Sequence, residues 1–425
     1  MKAITTADAV KLMEHGNHEF IDTRSIDAYN GWKPVGFHRG GHIPAARSLP
    51  YKWINYLDWL EIVEGKGITP TQILTIYGTN DLEVRQVASH FENHGYSNVF
   101  IYLDFLTEWV SKTTYPLEQL QRYQQLVSPE WLQSLLKAGS APEMDQSRYV
   151  VCHSHFQNPD DYHTGHISGA IQLDTNWLES TETWNRHDPD ILKETLVSLG
   201  ITSDTTVILY GRFSFPNNDD PFPGSSAGHI GAIRSAFIML YAGVKDVRVL
   251  NGGLQSWTDA GFKLSSEETF PKQVIDFGAH IPNRPSLAVD TPEAKTILAN
   301  DKANLVSVRS WREFIGEVSG YNYIKPKGRI PGAVFGNCGS DAYHMENYRN
   351  PDHTCREYQE VERLWAEVGI TPEKRSAFYC GTGWRGSEAF FNAWLMGWPD
   401  IAVYDGGWFE WSRDPDNPRE TGIPA

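Results

Sequence analysis

Short apolar runs alternate along the chain with segments that are apolar on one face only, at helical spacing. The runs "ILTIYG" (73–78), "TVILYG" (206–211) and "SAFYCG" (376–381) predict strands buried on both faces. Each is followed by a helical pattern, a second short strand and a turn ending in tryptophan. The turn is clearest in "VRVLNGGLQSW" (247–257) and "IAVYDGGWFEW" (401–411), which share Gly-Gly-x-x-x-Trp, whereas "VFIYLDFLTEW" (99–109) keeps the tryptophan without the glycines. Upstream of the first strands stand "GHIPAA" (41–46), "GHISGA" (165–170) and "GRIPGA" (328–333). One unit is therefore written three times, and the first copy has diverged most. Strands alternating with helices predict an α/β fold of three tandem domains, each a mainly parallel sheet flanked by helices. Ligands of such sheets bind at the carboxyl ends of the strands.

The boundaries follow from the repeat. "SPEWLQSLLKAG" (128–139) opens the second copy, with Ser128 placed to cap a helix that starts at a proline. "TFPKQVIDFGAHIPNRP" (269–285) is proline-punctuated and weakly periodic, as expected of an ordered linker. The expected domains are residues 1–124, 125–270 and 286–425, with 271–285 as linker.

Composition narrows the function classes. A chain of 425 residues, 40% hydrophobic and 21% charged, fits several globular cores rather than one. The formal net charge of −16 repels nucleic acid and anionic membranes, so neither is expected as a partner and any anion site must be local. No apolar run approaches the ~20 residues of a membrane helix. The opening "MKAITT" lacks an apolar signal region, so the chain as it stands is expected in the cytoplasm, or in the periplasm if it is a processed form.

The four cysteines, Cys152, Cys338, Cys355 and Cys380, form no Cys-x-x-Cys pair. Cys380 lies in "YCGTGWRGSEA" (379–389), between a predicted strand and the helix "GSEAFFNAWLMGW" (386–398). Gly381 and Gly383 permit positive φ, so the backbone N–H groups of Gly381, Thr382, Gly383 and Trp384 are expected to form a nest around the sulfur. A helix N-terminus and the nearby Arg385 can lower a thiol pKa from ~8.5 to about 3.5–7.5. A buried, inert thiol is the plain alternative. Gly-x-Gly, the arginine and the strand-to-helix position together favour a nucleophile. The matching strand ends, "IYGTND" (76–81) and "LYGRFS" (209–214), have no cysteine, so the first two domains are expected to be catalytically silent.

These motifs resemble those of the rhodanese sulfurtransferases over essentially the whole chain. The loop is similar to the family's active-site loop, "FIDTRS" (20–25) and "LVSVRSWREF" (305–314) to its opening strand, and "YDGGWFEW" (404–411) to its closing motif. Three copies with the loop cysteine in the last, together with "SGYNYIKPKG" (319–328), resemble three-domain bacterial thiosulfate sulfurtransferases. The resemblance implies a persulfide on Cys380, with Arg385 contacting the anionic part of the donor. The sulfur would pass from thiosulfate, or from 3-mercaptopyruvate, to cyanide, a thiol or a protein cysteine. It implies no cofactor, a monomer, and a sulfur-carrier protein as a possible partner; a persulfide-docking role is the non-enzyme alternative. Two departures stand out. Ser307 replaces the acid that usually precedes Arg309, for which a structural role is expected, and Arg329 replaces a histidine. With Lys325 and Lys327, Arg329 forms a small basic cluster, so Lys327 and Arg329 are secondary candidates for donor binding.

Other chemistries fit less well. Cysteine phosphatases resemble one another in placing five residues between cysteine and arginine, and here there are four. "VCHSHFQNPDDYHTGH" (151–166) holds Cys152, His153, His155, His163 and His166, but strand alternation turns Cys152 away from His153 and His155, and no metal is expected. Asp219 and Asp220, in an acidic insertion, lack a calcium-loop pattern. Cys338 and Cys355 are expected to be unreactive, with a resolving role for either left open.

Overall fold

The computed structural model describes residues 2–14, 16–144, 148–213 and 228–424. It contains three five-stranded sheets, each with the order first, fifth, fourth, second, third. All strand pairs are parallel, as the buried apolar runs and intervening helices require. The third sheet runs Ala288–Val289, Ile401–Tyr404, Arg375–Tyr379, Ala303–Ser307 and Val334–Phe335 across its width.

Register makes the three copies directly comparable. Asp22 pairs with Tyr77, His153 with Tyr210, and Ser307 with Tyr379. Gly78, Gly211 and Cys380 consequently occupy one position, just past the central strand. The closing motif also explains its glycines: Gly252, Gly253 and Gly407 have φ of 82°, 58° and 54°. The first copy, without glycine there, forms a π-helical turn at Phe105–Val110 instead.

The helix Pro129–Ala138 starts at Ser128, whose side chain accepts from the Trp131 N–H, and ends at Gly139 in the left-handed region. Residues 271–284 contain no helix or strand, yet the chain there is fixed. Ser203 N–H donates to Phe277 O at 2.8 Å, and the Phe277 side chain is buried.

Two compact units emerge, residues 1–124 and 125–425. The first is centred on Ile21, Trp53, Ile76 and Phe91. In the second unit, helix Gly228–Ala242 is buried at every residue. Its apolar sequence has no polar face because it packs against both its own sheet and helix Trp384–Leu395 of the third domain, with Phe237 and Phe390 ring centroids 5.2 Å apart. Among the described residues no helix is long and apolar enough to cross a membrane.

Candidate active site

Strand Arg375–Tyr379 delivers Cys380 to the carboxyl edge of the third sheet, and the following helix begins at Trp384 with Gly383 as its cap. Trp384 and Arg385 therefore belong to the first helical turn, two residues earlier than the sequence pattern places it. The loop proper is Cys380–Gly383. It is pinned from the closing motif, with Trp408 N–H donating to Cys380 O at 2.9 Å and Phe409 N–H to Gly381 O at 2.7 Å.

The expected amide nest takes a different form. The Cys380 thiol and the Cys380 N–H both donate to the Thr382 carbonyl, each at 3.2 Å, and among the described residues no backbone N–H donates to Sγ. Neither loop glycine has positive φ; that of Gly383 is −98°. Both are required by close approach instead. A Cβ on Gly381 would lie 2.0 Å from the Tyr321 ring, and one on Gly383 would lie 2.5 Å from Arg234 Nη1.

Arg385 is buried in a two-pronged pair with Glu313, at 3.0 and 2.8 Å. Burial raises the Glu313 carboxyl, but the Arg385 guanidinium together with Arg309 and the Ser310 N–H outweighs it and holds Glu313 below its ordinary value. The same guanidinium donates to the Tyr321 hydroxyl from Nε at 3.1 Å and from Nη2 at 2.7 Å. With its oxygen accepting two N–H groups, Tyr321 has its own O–H left to donate. Arg385 thus has its charge matched by Glu313 and orients Tyr321.

A cavity of about 210 Å³ opens beside this loop. Six aromatic side chains line it: Phe156, Trp184, Tyr321, Tyr323, Tyr343 and Trp384, with Thr382 and Arg385 at the loop side. Trp184 stacks on Tyr323 at 5.4 Å between centroids, and Phe156 meets Trp184 at 5.7 Å and Trp384 at 5.6 Å. Phe156 and Trp184 come from the second domain. Burial, and then the nearness of Cys380, push the Tyr323 hydroxyl well above its ordinary value.

The secondary candidates for donor binding, Lys327 and Arg329, lie away from this cavity. Lys327 donates to Glu317 O at 2.9 Å, and neither it nor Arg329 lines the cavity. Arg329 bonds Gly422 O at 2.6 Å, pairs with Glu420 at 3.2 Å and lies over the Phe314 ring. It substitutes for the histidines of the other copies, where His42 stacks on Tyr29 and His166 on Tyr162. Arg309 bonds the Gly328 carbonyl and covers Trp408, a structural role.

The remaining sequence candidates also resolve into structure. Burial pushes the Cys338 and Cys152 thiols up to about 12. His153 approaches Asp161 at 3.6 Å and His155 approaches Asp174 at 4.0 Å. Among the described residues no group of three or more His, Cys, Asp or Glu could hold a metal ion. Asp219 and Asp220 lie outside the described residues. Sequence reading missed Glu313, Tyr321, Tyr323, Phe156 and Trp184. Glu313 had a signal, the Ser-x-x-Glu capping box with Ser310, which the structure forms.

Comparisons with known proteins identify the family. A family model described as "Rhodanese-like domain" matches residues 5–112, 128–260 and 290–414. "Thiosulfate sulfurtransferase YnjE" of Escherichia coli (strain K12) is 40% identical over 416 residues, covering 96% of this chain and 90% of the relative. Among solved structures, a cysteine-to-serine variant of EanB in complex with hercynine superposes with a TM-score of 0.97 at 56% identity, covering 100% of this chain and 98% of that one. Another EanB structure holds a cysteine persulfide in a tetrahedral intermediate state with ergothioneine, with the same TM-score and identity and all of both chains covered.

Proposed function

The chain belongs to the rhodanese-like family and is a sulfurtransferase, and from that premise we propose that the Cys380 persulfide gives its sulfur to hercynine, forming ergothioneine. The observation that carries this reading is the aromatic cavity beside Thr382. Hercynine is the trimethylammonium betaine of histidine, and aromatic faces attract a quaternary ammonium where a dianion such as thiosulfate gains little. Arg385, the one arginine among the described lining residues, is already matched by Glu313. EanB, similar over its whole length, has been captured with hercynine and with ergothioneine.

In the first half-reaction the Cys380 sulfur attacks the outer sulfur of a sulfane donor; with thiosulfate, the donor named for YnjE, the S–S bond breaks and sulfite leaves with the electron pair. In the second, Tyr321 donates its proton to an imidazole nitrogen of hercynine, making the carbon between the two nitrogens electrophilic. The terminal persulfide sulfur adds to that carbon. Loss of the carbon-bound proton, which restores the Tyr321 phenol, then forms the C=S bond, while the S–S bond breaks and its electron pair returns to Cys380. The sum is one sulfur atom moved, with no external oxidant.

Intact-mass spectrometry tests both halves. Mixing with thiosulfate or a polysulfide is expected to add ~32 Da, and hercynine is expected to remove it with formation of ergothioneine. Cys380→Ser is expected to abolish both steps. Tyr321→Phe is expected to load sulfur normally while slowing transfer by about 10²–10⁴. A loaded protein that yields thiocyanate with cyanide but leaves hercynine unchanged would return the acceptor to the simpler thiophiles.

A further inference from the structure

The wall of the cavity and the cysteine loop belong to different domains, and one buried side chain touches both. Arg234, in helix Gly228–Ala242 of the second domain, is fully buried. Its Nη2 donates to the Trp184 carbonyl at 3.2 Å, and its Nε donates to Glu179 at 2.9 Å. Its Nη1 forms an ion pair with Asp405 of the third domain at 2.6 Å. The same Nη1 is the atom that forbids a side chain at Gly383.

Each of these partners leads to the reaction. Trp184 lines the cavity with φ of 61°, a conformation that bulky residues rarely adopt and that needs support from its surroundings. Asp405 also accepts from the Arg186 N–H at 2.8 Å and from Arg186 Nη1 at 2.9 Å, so it ties the 184–186 turn to the third domain. Three residues after Asp405, the Trp408 N–H holds the Cys380 carbonyl. Gly407, between them, approaches the loop so closely that a Cβ there would lie 2.5 Å from the Thr382 carbonyl.

We propose that Arg234 is a positioning residue for the acceptor half of sulfur transfer, fixing the Trp184 wall of one domain against the Cys380 loop of the other. The inference rests on the acceptor reading above. A donor needs only to reach Cys380, whereas hercynine must be held between wall and loop with its reacting carbon against the persulfide. Loss of Arg234 therefore acts on the second half-reaction more than on the first. A lysine keeps the charge but not the planar fork that serves a carbonyl and two carboxylates together.

The experiment measures three quantities on Arg234→Lys, Arg234→Met and the charge-balanced double variant Arg234→Met/Glu179→Gln: thermal stability, ~32 Da loading of Cys380, and hercynine turnover. The double variant guards against misfolding, because it removes one charge of each sign and Asp405 keeps Arg186. Folded variants are expected to load sulfur within about twofold of the wild type, while kcat/KM for hercynine falls by about 10–100-fold, chiefly through KM. Folded variants with unchanged hercynine kinetics, or with loading and turnover reduced in equal measure, overturn the positioning role alone. A wild-type protein that loads sulfur yet never converts hercynine overturns the acceptor reading, and the role of Arg234 falls with it.

Discussion

The second and third domains of the 125–425 unit share one strand order and part company at the position just past the central strand. At the end of the central strand the third domain has Cys380, and the second has Gly211. A Cβ on Gly211 would lie 2.1 Å from the Gly228 carbonyl, at the start of the helix that carries Arg234. The first domain has Gly78 there, against the Thr23 hydroxyl at 2.3 Å. The space that holds Cys380 in the third copy is closed by backbone in the second, and the closing element is the helix whose Arg234 reaches Asp405 of the third copy.

The comparison extends to the buried charges. The first domain places acid and arginine two residues apart, with Asp22 bonded to Arg24. The third domain has Ser307 before Arg309 and draws its acid from Glu313, which it spends on Arg385. Breaking that pair has the largest expected effect. Glu313→Gln leaves the buried Arg385 charge unmatched and is expected to cost ~3–5 kcal/mol in denaturant unfolding, with Tyr321 released from its orientation.

The next prediction concerns the shared boundary. Burial pushes Glu179 from its ordinary 4.5 up to about 7, because Arg234 divides its charge between Glu179 and Asp405 and offsets only part of the penalty. The native state therefore holds this proton more tightly than the unfolded chain. Its contribution is fully present below pH 4.5 and is lost as pH rises to about 7. Wild type is expected to lose on the order of 3 kcal/mol relative to Glu179→Gln across that window, read as the difference between their stability-versus-pH curves.

Gly211→Cys tests whether a cysteine at this position of the second copy takes up sulfur. It is expected to cost about 1–3 kcal/mol through overpacking and to add no second ~32 Da increment by mass spectrometry. The smallest effect is expected at Lys327→Ala, an exposed side chain on a carbonyl. Stability should stay within ~0.5 kcal/mol and sulfur loading should be unchanged, whereas a loss of loading would return this lysine to the donor site.

The repeat, the parallel sheets and the cysteine loop were legible in the sequence because each is written locally. Apolar runs of five residues, a glycine pair and a capping serine all act within a few positions of themselves. The function of Gly381 and Gly383 was misread for the opposite reason. Their neighbours, Tyr321 and Arg234, lie 60 and 149 residues upstream, and no periodicity announces a contact of that span. Arg329 reads in sequence as part of a basic cluster because its partners, Phe314, Glu420 and Gly422, come from segments on either side of the motif. Trp184 and Phe156 gave no signal, since an aromatic residue destined for a cavity wall has the same composition as one destined for a core.

The two-domain origin of the cavity wall has a consequence for inheritance. Tandem repeats ordinarily permit shuffling, because each copy folds around its own core. Here a third domain recombined onto a foreign second domain would keep its cysteine, its loop and its closing motif, yet meet no Trp184 and no Arg234. On the proposed reading acceptor choice is a property of the pair, so new specificities should arise from substitutions in the second copy as well as the third.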